Sequence, residues 1–306
     1  IFSSDALSST AYATEEILLA LSAGGVAYLS VSLPIAVTIV LLIAIVTLSY
    51  QQVVRAYPQG VGVYNVAKDN LGENCALLGA ASLIVDYILT AAVSVAAGVA
   101  AITSACPALL PYKTGLGILF LAFLAWMNLR GVKESGKAFT LPTYMFVITF
   151  TGMIAYGFLQ FFLGNIAHTV PSISTNTEIN FFVVILILKS FASGCTAMTG
   201  IEATSNGVQA FQPPEADNAA STMTRMAVIL SFVFLGITLL AHWLGIIPAH
   251  DETVVSQIAK ALFGVGALYY IIQAATAMIL ILAANTPFAD LPRLLSQLAK
   301  DEYAPI

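Results

Sequence analysis

Eight stretches of this chain run apolar for about the length of a membrane crossing: 5–30, 33–55, 75–104, 115–129, 139–164, 181–209, 220–247 and 261–286. A bilayer core about 30 Å thick needs roughly 20 apolar residues in an α-helix, and only the fourth run is short. The runs are continuous and rich in Ala and Leu. They lack the alternation of a membrane β-barrel, so helices are expected. Composition closes off the alternatives. Of 306 residues, 59% are hydrophobic and 9% charged, where a soluble domain carries about 25% charged residues. Mean hydropathy is +0.90. A soluble enzyme, a disordered chain and a coiled coil are excluded. The expected class is an all-α polytopic membrane protein with the lipid bilayer as its first partner.

The net charge is -5 and the basic residues are scattered, so no nucleic-acid partner is expected. Cys75, Cys106 and Cys195 form no CxxC pair and read as small packing residues, not metal ligands. His168, His242 and His250 fall near span ends without ligand spacing. The chain begins at Ile1 without a basic leader, so no signal peptide is expected. Further residues are expected on both sides of it.

Lysine and arginine set the orientation. If the first span runs outward, Arg55, Lys68, Arg130, Lys133, Lys137, Arg225, Arg293 and Lys300 fall on the cytoplasmic side and only Lys113 and Lys260 outside, with Lys189 inside a span. The segments 51–74, 130–138 and 208–220 and the C-terminal segment are then cytoplasmic. The N-terminus is cytoplasmic too, and 164–180 is external.

Two spans are interrupted by small polar residues. The first contains Ser3-Ser4-Asp5-Ala6-Leu7-Ser8-Ser9-Thr10-Ala11-Tyr12, the sixth Ser193-Gly194-Cys195-Thr196-Ala197-Met198-Thr199-Gly200-Ile201-Glu202. Ala6-Leu7-Ser8 aligns with Ala197-Met198-Thr199. Five spans separate the two, so the second copy crosses the membrane in the opposite sense, the pattern of an inverted-repeat transporter. Residues 1–164 would form the first repeat and 165–306 part of the second. Small residues also let helices pack closely, a plainer account of either stretch alone.

Acids inside apolar runs are costly, about 2.5–3.5 kcal/mol or more at a helix centre. Asp5 lies in the first break, with Tyr12 two turns on. Asp86, Thr90 and Ser94 form an i, i+4, i+8 stripe on the third span. Glu202 follows Thr199 by one turn. Carboxylates and hydroxyls together make a hard-oxygen cage suited to an alkali cation or a proton relay. Other roles stay open: an N-cap for Asp5, a structural hydrogen bond for Asp86, a pairing with Lys189 for Glu202. At least one of Glu15 and Glu16 is expected to face an external vestibule. Pro58-Gln59-Gly60-Val61-Gly62 reads as either an inner-gate segment or a helix stop.

These residues carry a resemblance. Ser3–Glu15 is similar to the opening motif of the KimA branch of the KUP-type potassium transporters, in the amino acid–polyamine–organocation superfamily. Ala56–Gly60, Val85–Thr90, Asn128–Gly131, Ser193–Cys195, Thr199–Ala203, Asp251–Ala259 and Leu282–Thr286 extend it along nearly the whole chain. The resemblance implies a LeuT-type 5+5 inverted-repeat core, incomplete in these 306 residues, with its first and sixth helices discontinuous. It implies proton-coupled potassium uptake. Asp5, Tyr12, Asp86, Thr90, Ser94 and Thr199 would be ion-pathway ligands, potassium being held by Asp5, Tyr12, Asp86, Thr90 and Thr199, and Glu202 the proton-coupling acid. It implies no cofactor, only transported potassium and protons, and cyclic-dinucleotide regulation solely through a domain outside this chain. A homodimer in the plasma membrane is expected.

The rival on the same fold is an amino acid or polyamine permease. Such permeases offer bare glycine amides at the first break to hold a substrate carboxylate. Residues 1–10 contain no Gly, and Asp5 stands there instead. An open channel is the other class, and broken helices weigh against it. No nucleophile–base pair or metal triad suggests an enzyme.

Overall fold

The computed structural model describes residues 2–57, 62–130, 136–165 and 181–304. Those residues are predominantly helical, without a β-strand among them. Helices α1 (Phe2–Ser8) and α2 (Thr10–Ser22) form the first, broken crossing. Then come α3 (Ser32–Ala56), a short α4 (Val63–Leu71), α5 (Glu73–Ala105), α6 (Lys113–Leu129) and α7 (Gly136–Phe162). The second half holds α8 (Phe181–Gly194), a short α9 (Ile201–Asn206), α10 (Glu215–Trp243), α11 (Val254–Phe263), α12 (Ala267–Ala283) and α13 (Thr286–Lys300). Seven helical segments among the described residues are long and apolar enough to cross a membrane. The eighth expected crossing, the first, is split too short to qualify.

Some boundaries differ from the sequence reading. The first crossing ends at Ser22, not near residue 30, because 26–31 forms a 3₁₀ turn leading into α3. Residues 261–263 belong to α11, which Gly264, at φ +66°, separates from α12. The segments expected as loops at 51–74 and after 286 contain the helices α4 and α13. The segment 58–61 of the Pro-Gly motif, the 164–180 loop beyond Asn165, Lys133 and His168 lie outside the described residues. Cys75 and Cys106 are exposed and not packed as expected, whereas Cys195 is half-buried against the core.

The core gathers around α10. Met226, Leu230, Val233, Phe234, Ile237 and Leu240 recur at helical spacing and are all buried. α10 packs on α3 and α7, α12 on α5 and α7, and α2 on α8. α2 and α8 approach closely at Gly194, where a Cβ would come within 2.6 Å of Ile17; a residue without a side chain lets two membrane helices meet there. By contrast Leu41, Ile45, Leu48, Ile118 and Leu119 are exposed, as lipid-facing positions must be.

α5 has 33 residues, about 50 Å of helix, and defines two ends of the bundle. At its start, Tyr303 donates to Glu73, and α4 and α13 pack beside it. The Tyr64 hydroxyl donates to Asp301 at 2.6 Å, and Lys68 meets the same carboxylate at 2.8 Å. At its finish, Ser104 Oγ accepts from the Thr253 amide and the Ser104 carbonyl accepts from Tyr269. Arg55 pairs with Asp217, Gln51 donates to Thr224, and Asn128 donates to Asn285. These contacts gather Arg55, Lys68, Arg130, Arg225, Arg293 and Lys300 toward the α13 end, with Lys113 and Lys260 toward the α11 end.

Candidate functional site

The two breaks differ in kind. At the first, three consecutive hydroxyls turn back on the preceding turn: Ser8 to Asp5 O, Ser9 to Ala6 O and Thr10 to Leu7 O, each at 2.7 Å. They compete for carbonyls the helix would otherwise use. Ser9 keeps helical dihedrals, φ -61° and ψ -26°, so this is a loosening of the helix. The second is a true interruption. α8 passes into a 3₁₀ turn at 195–198, Thr199 is extended (φ -61°, ψ 143°), and Gly200 is left-handed at φ +82° before α9 begins.

The breaks meet. Ser9 Oγ also donates to the Ala197 carbonyl at 3.1 Å. A Cβ on Gly200 would fall 2.7 Å from the Ala6 nitrogen and 2.9 Å from Asp5 Cγ. The left-handed glycine therefore lets the Asp5 carboxylate lie against the backbone of the second break. Asp5 is 5% exposed. It sits inside α1 and not at its start, so the N-cap role is not realised. Tyr12 is buried against Thr199, whose hydroxyl donates to the Thr196 carbonyl. The backbone N–H groups of Gly200 and Glu202 point at the Glu202 carboxylate, and no ion pair joins it to the exposed Lys189 among the described residues.

Asp86 is half-buried on α5 and carries no hydrogen bond or ion pair among the described residues, so the structural-bond role is not realised either. Thr90 and Ser94 follow on the same face, both buried. The Ser94 hydroxyl has no partner among the described residues. Asp5, Asp86 and Glu202 lie within electrostatic reach of one another. Yet no three acidic, His or Cys side chains among the described residues converge on one ion-sized point. The acids therefore stand near one another around the two breaks without meeting at one point.

Two cavities open beside these residues, one lined by Tyr12 and the other by Tyr87 and Asp290. The one at the α11 end holds about 230 Å³ and is lined by Tyr12, Glu15, Glu16, Lys113, Thr253 and Thr276. Glu15 accepts from the Val254 amide at 3.1 Å, joining α2 to the start of α11. Both glutamates thus line this cavity. The cavity at the α13 end holds about 720 Å³ and includes Tyr87, Asn206, Asp290 and Arg293 in its lining. Sequence reasoning missed Asp290, a fourth carboxylate within reach of Asp5 and Glu202. Tyr50 and Tyr87, near Asp86 and Glu202, were missed as well. Asp290 lies past the last apolar run, where an acid reads as a solvated loop residue.

The whole chain, residues 1–306, matches the amino acid permease family. The chain belongs to that family. The chain is 47% identical over 305 residues to "Potassium transporter KimA" of Bacillus subtilis (strain 168). That alignment covers all of this permease chain and 50% of the relative, so the chain spans about half the length of the relative it matches. The all-α polytopic architecture and the expected likeness to the KimA branch are both borne out.

Proposed function

We propose that this protein is a secondary active transporter that takes up potassium together with protons. The observation that carries the reading is Asp5: a buried carboxylate pressed on the backbone of the second break. A carboxylate there repels a substrate carboxylate and attracts a cation. The 47% identity to a protein named a potassium transporter supports the same direction. Potassium would pass from one cavity to the other past Tyr12, Thr199, Asp5 and Asp86, with Thr90 and Ser94 as flanking oxygen ligands and Glu202 carrying the proton. Carboxylate, hydroxyl and carbonyl oxygens replace the water shell. At about -100 mV, inward movement of one charge gains ~2.3 kcal/mol.

The same reading treats 1–164 and 165–306 as inverted repeats in a plasma-membrane homodimer, with the α13 end in the cytoplasm. The basic side chains toward that end support it under the positive-inside rule. Cyclic-dinucleotide control would act through a domain outside this chain. The family description favours a second reading, an amino acid or polyamine permease.

The test is rubidium uptake by the full-length protein in a bacterium lacking its own potassium importers. Expected are uptake indifferent to an amino acid mixture, its loss in Asp5→Asn and Asp86→Asn, and loss of acidification-driven uptake in Glu202→Gln. Uptake of a labelled amino acid or polyamine without rubidium transport would overturn the potassium reading.

A further inference from the structure

Asp290 is placed where a cation leaving the central acids would meet it. α12 ends at Ala283, Ala284 and Asn285 keep helical dihedrals, and α13 continues along α5 toward its start. That course carries Asp290, one turn into α13, to the wall of the 720 Å³ cavity, with Tyr87 and Asn206 also in that wall. The residue is 6% exposed. A carboxylate so buried needs a counter-charge, and Arg293 supplies it through Nη1 at 3.2 Å from Oδ1. The pair occupies one carboxylate oxygen and leaves Oδ2 without a partner among the described residues. The two side chains differ sharply in burial: Asp290 is 7% exposed and Arg293 64%. The acid is fixed and its cation can swing into the cavity without unfolding anything.

Charge balance explains why such a pair stands there. Asp5 feels the charges of Glu202, Asp290 and Asp86, and Glu202 those of Asp86 and Asp290, and Arg293 is the base paired with the acid at its cavity end. A guanidinium on a short tether and a mobile alkali cation compete for the same oxygens. When the cation arrives, Arg293 yields; when it departs, Arg293 returns and keeps the acid from being stranded without a partner.

We propose that Asp290 is a further alkali-cation site, the last one before the α13-end mouth, and that Arg293 is a tethered cation occupying it between passages. The role of Arg293 in release rests on the transport reading above; the site itself does not.

Two measurements on the full-length protein separate them. The first is anomalous diffraction from crystals soaked in thallium(I), a potassium surrogate. It is expected to show thallium at Asp290 in Arg293→Gln and much less in the wild type. No thallium at Asp290 in either protein would overturn the site, whatever appears near Asp5 and Asp86. The second is rubidium exchange in oriented vesicles. Arg293→Gln is expected to lower the half-saturating rubidium concentration on the α13 side at least threefold and to slow net release. Asp290→Asn should raise that value at least threefold, Asp290→Glu should restore it, and the opposite side should not change. Equal shifts on both sides, or none, would overturn the release role. A wild type that binds thallium at Asp290 but moves no rubidium would overturn the transport reading and sustain the site.

Discussion

Ser94 is buried completely and its hydroxyl meets no partner among the described residues. An unsatisfied buried polar group costs about 1–3 kcal/mol, so a purely structural serine there is a poor choice over alanine. Ser94→Ala is expected to leave thermal stability unchanged or raised while increasing the half-saturating rubidium concentration several-fold. A stability loss with unchanged transport would make it a packing residue. Gly200 makes the opposite case. A methyl group would clash with Ala6 and Asp5, and a left-handed residue with a side chain costs roughly a further 1–2 kcal/mol. Gly200→Ala should push the breaks apart and cut uptake at least tenfold, with the protein still inserted, as measured by flux per inserted molecule. Asp5, Asp86 and Glu202 were legible in the sequence because a charge in an apolar run stands out. Asp290 was not, because it lies past the last apolar run, and nothing in its neighbours' hydropathy signals that α13 packs on α5 and buries it.

Short helices carry what span counting overlooks. α4 and α11 have 9 and 10 residues, too few to cross a bilayer, and the sequence reading left α4 in a loop and the end of α11 in a span. Each is docked by polar contacts made far along the chain, which hydropathy does not encode. At the α13 end the clamp is Asp301. Lys68, then Tyr64, hold its carboxyl below the usual carboxylate range. A lowered carboxylate contributes stability above its unfolded value of 3.8, and that contribution is lost as pH falls through the lower folded value. Asp301→Asn is therefore expected to speed amide hydrogen exchange in 63–71 at neutral pH, and the wild type should show the same loosening only below about pH 4. Equal exchange in both proteins at neutral pH would remove Asp301 from the clamp. The second break was legible as a run of small polar residues. Its distinction from the first was not, since both read alike and only Thr199 and Gly200 leave helical geometry.

At the scale of the molecule, the two exposed cysteines report orientation without any substitution. Cys75 lies near the start of α5 and Cys106 just past its end, on opposite sides of the membrane. A membrane-impermeant maleimide applied to intact cells is expected to label Cys106 and to reach Cys75 only after permeabilisation. The reverse pattern would invert the proposed orientation. The bundle class and most crossings were readable from hydropathy alone, while the unequal sizes of the two cavities depend on how α11 and α13 seat. α5 is bonded at its start to Tyr303 and at its finish to Thr253 and Tyr269, all residues of the second half of the chain. A rod fastened at both tips to one partner cannot slide or tilt against it, so α5 and the α12–α13 run are held as a single body reaching from the α11 end to the α13 end.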